Sequence, residues 1–394
     1  MKYDVHGVDK RLERAIALVK EDKSLHPKNR ETILRFEKYA LSIGLKQERR
    51  YKYLNLLRWL SKSLNKPFEK GTKEDFIRII GDLEKTKLAE WSKVDRKVTI
   101  KRFYKWLDGN DEVYPDKVRW IKCRIKNDRC KMPEELITEY EVNRMAAAAT
   151  RPRDKAFVLC LYESGCRISE LLTLQNKNLV FDNLGVVLRV TGKTGDRRVR
   201  IVASSPALAS WMDFHPYKDD PEAYVWTRNL HRGYGDKLPC RYTNAANIIK
   251  RLATKAGIKK RVNPHNFRHS RATVMANKLT EAQMKTYFGW VQGSDMASVY
   301  VHLSGRDIDN AIIDAYGMKK QEKQELVSFK PHNCSRCGAA NSPSSKFCTK
   351  CGYATDAIVA MQMEHNEDDK LTRIDKLLSD PEFKEMIIRK LLAQ

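Results

Sequence analysis

Apolar residues in the first part of the chain recur with the spacing of amphipathic helices. In the segment 46–66, one tyrosine and four leucines fall on a single face of a 3.6-residue helix, and most of its lysines and arginines lie elsewhere. A capping box at Thr72 and Asp75 marks the start of another helix. Four helices are predicted, in residues 26–44, 46–66, 72–85 and 89–109. We therefore predict a small, basic, helical domain in residues 1–110.

The pattern changes twice in the middle of the chain. Residues 111–136 contain two prolines and many lysines and arginines, which predicts an extended basic linker. Helical spacing then returns with a second capping box at Thr138 and Glu141. It gives way to a period of two in "GVVLRVTG" and "RRVRIVA", which flank the hairpin turn "TGKTGD". Residues 137–318 are therefore predicted to form a mainly α-helical domain with one small antiparallel sheet.

The net charge of the chain indicates which kinds of partner the protein binds. The 394 residues include 75 lysines and arginines against 50 aspartates and glutamates, and the 42% of hydrophobic residues indicates folded domains. The formal net charge of +25 calls for an anionic partner, either nucleic acid or a membrane surface. No apolar stretch approaches the roughly 20 residues of a membrane-spanning helix, and the first residues carry no secretion signal. We expect a cytoplasmic protein that binds nucleic acid and no membrane.

Four of the nine cysteines fall in one short window as two C-x-x-C pairs. The four are Cys334, Cys337, Cys348 and Cys351. This spacing predicts a Zn²⁺ site, and a closed set of four thiolates leaves no position for a substrate, so the ion is structural. Chance pairs or disulfides are the alternative. We predict a zinc ribbon in residues 330–354, followed by a helical, acidic-leaning tail in residues 355–394; the roles of both are left open.

Several polar residues of the mixed domain suit phosphate chemistry. The donors are Arg167, Lys193, His265, Arg268 and Trp290. Taken singly, each is typical of a surface or packing residue. Together they are what a site needs to hold phosphate oxygens while negative charge builds on them, and the hydroxyl of Tyr300 in "YVHLSG" supplies a nucleophile.

The local contexts of these residues resemble one enzyme family. The segments "GCRISELLTL", "TGKTGDRRVRI" and "HNFRHSRAT" are similar to the signature boxes of the tyrosine recombinase (phage integrase) family. The segment "FGWVQGSDMASVYVHLSGRD", joined to a four-cysteine ribbon, resembles archaeal site-specific integrases. The resemblance covers residues 137–318 in detail. It covers the N-terminal domain in outline, as the family's core-binding domain that clamps DNA.

The resemblance implies a reaction that needs neither a metal ion nor ATP. Tyr300 would attack a scissile phosphate and form a 3′-phosphotyrosyl link with a free 5′-hydroxyl. Lys193 would protonate the leaving 5′-oxygen, and His265 would assist proton transfer from Tyr300. His269 and His302 are the alternatives for this acid–base work, and a structural role is favoured for both.

The resemblance also implies how the phosphate is held. Arg167 and Arg268 would clamp its non-bridging oxygens, and Glu170 would orient a side chain that contacts it. Trp290 would donate its indole N–H; many relatives have histidine there, and tryptophan cannot shuttle a proton. Arg197 and Arg198 could also reach DNA, where they would bind backbone phosphates and take no part in the chemical step.

These implications predict a site-specific recombinase of a mobile element, in a prokaryotic, nucleoid-associated setting. The partner would be double-stranded DNA, exchanged through a Holliday junction by a homotetramer on synapsed DNA, with a monomer or weak oligomer when free. A type IB-like topoisomerase and a non-catalytic DNA-binding regulator are the alternatives. The target sequence, the choice between integration, excision and dimer resolution, and delivery of Tyr300 in cis or in trans stay open.

Overall fold

The computed structural model describes residues 3–110, 112–124, 135–192, 194–228, 237–303, 312, 315–317 and 329–355. The chain divides into two compact units, Met1–Cys130 and Lys131–Gln394. Lys193, residues 125–134 of the predicted linker and the predicted tail beyond Thr355 lie outside the described residues. The first part of that linker is not extended as predicted: it contains a short helix, Asp116–Arg119, and Val118 and Ile121 are buried in the core of the first unit.

The first unit is helical throughout. Its helices are α1 (Val8–Glu21), α2 (Pro27–Ser42), α3 (Gln47–Leu64), α4 (Lys73–Lys85), α5 (Glu90–Leu107) and α6 (Asp116–Arg119). The four predicted helices correspond to α2–α5, and the capping box of Thr72 and Asp75 is present. Helix α1 was not predicted, because it begins after Gly7 in a left-handed conformation with no side-chain cap to mark its start.

Aromatic rings form the centre of this unit. Phe103 packs edge-on against Phe36 and Phe68, with ring centroids 5.3 and 4.8 Å apart. The buried hydroxyl of Tyr104 donates to the carbonyl of Phe68 at 3.0 Å, so its polar end is satisfied inside the core. On α3 the predicted apolar face is buried except for Leu56, which is half-buried. Arg49 and Lys62 of α3 are exposed, whereas Arg50 is largely buried in an ion pair with Glu37.

The second unit is built around one buried helix. Its elements are α7 (Glu139–Ala147), α8 (Pro152–Ser164), α9 (Ile168–Leu172), β1 (Leu179–Asp182), β2 (Gly185–Gly192), β3 (Gly195–Ile201), α10 (Ser205–Asp213), α11 (Tyr242–Lys255), α12 (Pro264–Ala276), α13 (Glu281–Phe288), α14 (Met296–Leu303), β4 (His332–Asn333) and β5 (Ala340–Asn341). Helix α8 is buried along almost its whole length and packs against α7, α10 and α12.

A three-stranded antiparallel sheet in the order β1-β2-β3 lies beside α8. The predicted hairpin is confirmed: β2 pairs with β3 as far as Gly192 and Gly195, at the two sides of the turn. Strand β1 was not predicted, since four residues are too few to show a period of two. The buried carboxylate of Glu163, near the end of α8, accepts from the amides of residues 202–204 just after β3. It fixes the sheet to α8.

The predicted fold class, mainly α-helical with a small antiparallel sheet, is confirmed, and so is the capping box of Thr138 and Glu141. Among the described residues, no helix is both long and apolar enough to cross a membrane.

Candidate active site

Arg167 stands between two helices, directly after the glycine turn that ends α8. Gly165 ends that helix in a left-handed conformation, and Arg167 is the residue before α9. Its guanidinium donates to the carboxylate of Glu170 at 2.9 Å and to the carbonyl of Gly289 at 3.0 Å. These two hydrogen bonds hold the guanidinium in place. The side chain is 31% exposed, so it remains accessible to a ligand.

Glu170 lies at the centre of the site and uses both of its oxygens. Oε1 accepts from the Arg167 guanidinium, and Oε2 accepts from the Arg167 amide at 2.8 Å and from Arg197 at 2.7 Å. Burial raises the pKa of Glu170, but the hydrogen bonds from Arg197 and Arg167 outweigh it and the pKa is lowered. The carboxylate is therefore ionised at neutral pH between two guanidinium groups.

Arg268 is the most buried cation of the site, at 4% exposure. It projects from α12 and donates to the carbonyls of Gly165 at 2.8 Å and Phe288 at 2.6 Å. Its guanidinium also lies 5.6 Å from the ring centroid of Trp290. Burial, with repulsion from Arg167, lowers the pKa of Arg268 to about 10, so the group is still a cation at neutral pH.

Tyr300 projects from α14 into an aromatic stack. Its ring lies parallel to that of Trp290 at 5.4 Å, and Trp290 stacks in turn on Phe288 at 5.0 Å. The residue is 1% exposed, and burial raises the pKa of Tyr300 to about 12 despite the field of Arg268. The phenol is therefore neutral in this state, and the predicted nucleophile lies within the arginine site rather than on another face of the unit.

The phenol contacts His269, for which a structural role was favoured. The Tyr300 hydroxyl and Nδ1 of His269 are 2.5 Å apart. His265, one helical turn earlier on α12, is exposed and meets His269 edge-on with ring centroids 4.2 Å apart. The spacing of four residues puts both imidazoles on one face of α12, a signal that could have linked His269 to the site.

Arg197 also differs from its prediction as a phosphate anchor. Its side chain is 7% exposed and binds Glu170 inside the unit, whereas Arg198 is exposed. Lys193 and the side chain of His302 lie outside the described residues. The described structure therefore brings together Arg167, Glu170, His265, Arg268, Trp290 and Tyr300.

Removing the charge of Glu170 is expected to flatten the acid dependence of stability. The pKa of Glu170 in the folded state is lowered from 4.5, so the unfolded chain takes up a proton at a higher pH than the folded chain does. The ionised carboxylate therefore stabilises the fold above pH 4.5, and this contribution fades as the pH falls below 4.5. For Glu170→Gln, the free energy of unfolding, measured by urea denaturation, should fall less between pH 7 and acid than in the wild type. Glu222→Gln, at an exposed surface pair, is the control. Equal acid dependence in the wild type and Glu170→Gln would contradict the assignment.

A second site lies in the four-cysteine segment. The Sγ atoms of Cys334, Cys337, Cys348 and Cys351 all lie within 4.8 Å of one another. The pairs 334–351 and 337–348 are separated by 3.6 Å, far beyond a disulfide bond and close to the roughly 3.8 Å between thiolates bound tetrahedrally at about 2.3 Å from zinc. The donor set therefore fits a structural Zn²⁺ ion.

The two C-x-x-C turns have the same geometry. Gly338 and Gly352, each following a second cysteine, have φ of 72° and donate to the carbonyls of Cys334 and Cys348 at 2.9 Å. A left-handed conformation at this point is open to glycine at little cost, which explains a glycine after each pair.

Comparisons with known proteins find matches to the two segments that contain these residues. Residues 135–306 match the phage integrase family, and residues 333–355 match a zinc-ribbon domain. The tyrosine recombinase XerD of Chlorobaculum tepidum is 30% identical over 268 residues, 62% of this chain and 82% of that protein. XerA of Pyrococcus horikoshii is 29% identical over 232 residues, 57% of this chain and 74% of that protein.

The fold is shared with solved structures as well. The Tn1549 transposon integrase, in complex with transposon right end DNA, superposes with a TM-score of 0.54 at 15% identity, over 73% of this chain and 99% of that one. The similarity to XerD confirms the predicted resemblance: this chain belongs to the tyrosine recombinase (phage integrase) family, whose members break and rejoin DNA strands.

Proposed function

We propose that this protein is a site-specific DNA recombinase that cuts DNA with the hydroxyl of Tyr300. The observation that carries the proposal is the position of the phenol on Trp290, whose indole ring also lies against the buried guanidinium of Arg268. A phenol beside a cluster of cations is what transfer of a phosphoryl group to tyrosine requires.

The charge of the site suits a phosphodiester. Among the described residues of the site, the three guanidinium groups of Arg167, Arg197 and Arg268 lie around one carboxylate, that of Glu170, which leaves an excess of two positive charges. A DNA phosphodiester carries one negative charge, and more charge builds on its non-bridging oxygens as the fifth bond to phosphorus forms. Arg167 and Arg268 clamp these oxygens, and Trp290 donates its indole N–H to them.

In the attack by Tyr300, one bond to phosphorus forms as another breaks. The Tyr300 oxygen forms a bond to phosphorus, the bond from phosphorus to the 5′-oxygen breaks, and the strand is held as a 3′-phosphotyrosine. The phenol proton passes to the histidine pair of α12, with His265 as the acceptor that faces solvent, and Lys193 protonates the leaving 5′-oxygen. Reversal by a 5′-hydroxyl of another duplex rejoins the strand without ATP.

The described state precedes attack. Because Tyr300 is buried, its phenol oxygen cannot contact a DNA phosphate until α14 moves and the stack on Trp290 opens. Leaving the stack also removes the burial that raises the pKa of Tyr300, so the same movement makes the phenol a better nucleophile.

DNA is the partner that the charge of the chain fits. The net charge of +25 and exposed side chains such as Arg49 and Lys62 on α3 favour a first unit that binds the phosphate backbone of the duplex. A homotetramer on synapsed DNA is the assembly that exchange between two duplexes requires. The likeness to a transposon integrase supports a mobile element as the source of the DNA site.

The four thiolates of the ribbon would hold one Zn²⁺ ion. Binding of the ion would stabilise the fold of this segment, whose own core is small. Cys334→Ser is expected to remove the bound zinc and to lower the melting temperature, as measured by elemental analysis and calorimetry. Cys123→Ser changes a half-buried cysteine outside the cluster and should keep one zinc per chain. A stoichiometry near zero in the wild type, purified without chelator, would contradict the zinc site.

Covalent capture tests the function and finds the target together. The protein is incubated with fragmented genomic DNA of its source, denatured, and the fragments that stay attached are sequenced. A recombinase is expected to retain fragments whose ends share one sequence. Attached fragments without a shared sequence would indicate a topoisomerase, and no attached DNA would contradict the proposal. Wild type and Tyr300→Phe are compared throughout.

A further inference from the structure

Arg197 is a strand residue whose charged end is buried inside the second unit. It lies on β3 opposite Val190 of β2, and its side chain is 7% exposed, whereas Arg198 beside it is exposed. Burial of a guanidinium is unfavourable unless partners with good geometry compensate for the lost water. The contacts of Arg197 therefore identify the groups that compensate for its burial.

Those contacts reach two parts of the active site. The guanidinium donates to Oε2 of Glu170 at 2.7 Å, and the other oxygen of that carboxylate binds Arg167. Its Nε donates to the carbonyl of Tyr287 at 2.9 Å, three residues before Trp290. Arg197 therefore joins the segment that carries Arg167 to the turn that carries Trp290.

Two glycines make room for this side chain. A Cβ atom at Gly289 would lie 2.8 Å from Nη1 of Arg197, and one at Gly192 would lie 3.3 Å from the same atom. The two glycines directly precede Trp290 and Lys193 in the chain. The guanidinium thus occupies a slot between the two segments that carry these donors, and a larger residue on either side would displace it.

The charge of Arg197 matters as much as its shape. Glu170 is shared by two guanidinium groups, so one positive charge is left over for the phosphate. Without Arg197, Glu170 and Arg167 would form a neutral pair of one carboxylate and one guanidinium. Arg167 would then stabilise developing negative charge less well, even if it did not move.

We propose that Arg197 is a positioning residue that acts through Glu170, holding Arg167 in place and leaving its charge available to the scissile phosphate. The proposal rests on the proposed function. Arg197 does not contact the DNA in this account, so its loss should lower the rate of cleavage and leave DNA affinity almost unchanged.

The test uses the captured target as a suicide duplex, nicked beside the scissile phosphate, with cleavage followed in a single turnover at saturating protein. Arg197→Met is expected to slow cleavage by about 10²-fold, because it impairs Arg167 and the loss of one donor to developing charge has about this effect. Arg197→Lys keeps the charge and is expected to recover about tenfold of this loss. A second duplex carries a methylphosphonate, which has no charge, at the scissile position; on it the penalty of Arg197→Met should shrink at least tenfold.

Arg189→Met is the matched control, because it removes one arginine from an exposed position of the same hairpin. Thermal unfolding checks that each variant folds; if Arg197→Met does not, Arg197→Lys is compared on the two duplexes instead. The proposal is overturned if the folded variants cleave as fast as Arg189→Met, or if their penalty is the same on both duplexes. Absence of cleavage by the wild type would instead overturn the proposed function itself.

Discussion

Replacement of Tyr300 by phenylalanine is expected to abolish covalent attachment to DNA, with a loss of at least about 10³-fold, because no other group replaces the nucleophile. The phenylalanine ring can keep its stack on Trp290, so the fold of α14 should survive. Loss of the hydrogen bond to His269 should cost about 1 kcal/mol of stability. Denaturing gel electrophoresis of the trapped complex and a DNA-binding titration measure the two effects separately.

The control is Tyr316→Phe, at an exposed tyrosine outside the stack, which should cleave like the wild type. Covalent complex in Tyr300→Phe at the wild-type level would show that another residue attacks the phosphate. A parallel loss of DNA binding would show that the variant is defective before the chemical step.

Arg268→Met is expected to slow cleavage by about 10²- to 10³-fold, since the most buried cation of the site faces the charge that builds in the transition state. The variant should also be less stable by about 2 kcal/mol, because the carbonyls of Gly165 and Phe288 each lose a charged donor. Single-turnover cleavage and urea denaturation measure the two effects.

Arg268→Lys separates charge from geometry. Lysine keeps the charge but cannot reach both carbonyls from one nitrogen, so we expect it to cleave faster than Arg268→Met and slower than the wild type. Arg261→Met, at an exposed position before α12, removes the same charge and should leave the cleavage rate unchanged. Equal rates for Arg268→Met and Arg261→Met would contradict a role for Arg268 in the transition state.

Local signals in the sequence were enough for the hairpin, the capping boxes and the cysteine cluster. Each of these depends on residues that are close in the chain: alternation on both sides of "TGKTGD", an acid three residues after Thr72 or Thr138, and two C-x-x-C pairs. The family could likewise be predicted from the signature segments around Arg167, Arg268 and Tyr300, because each segment is continuous in the chain.

Contacts between distant segments could not be predicted. Alternation along β3 places Arg197 on the same face as the buried Val199 and Ile201, but its partners come from distant segments, at Glu170 and beside Gly289, and no local pattern identifies them. The bond from Tyr300 to His269 spans 31 positions and depends on how α14 packs on α12. Burial of the nucleophile is a property of that packing, so no sequence pattern contained it.

The central claim is that the oxygen of Tyr300 becomes bonded to a DNA phosphorus atom. The most direct measurement is mass spectrometry of the protein trapped on its suicide duplex, after digestion with nuclease and protease. The account predicts one modified peptide, with the remaining nucleotide on Tyr300 and linked through its 3′-phosphate. A nucleotide on any other residue, or a 5′-linked one, would contradict it.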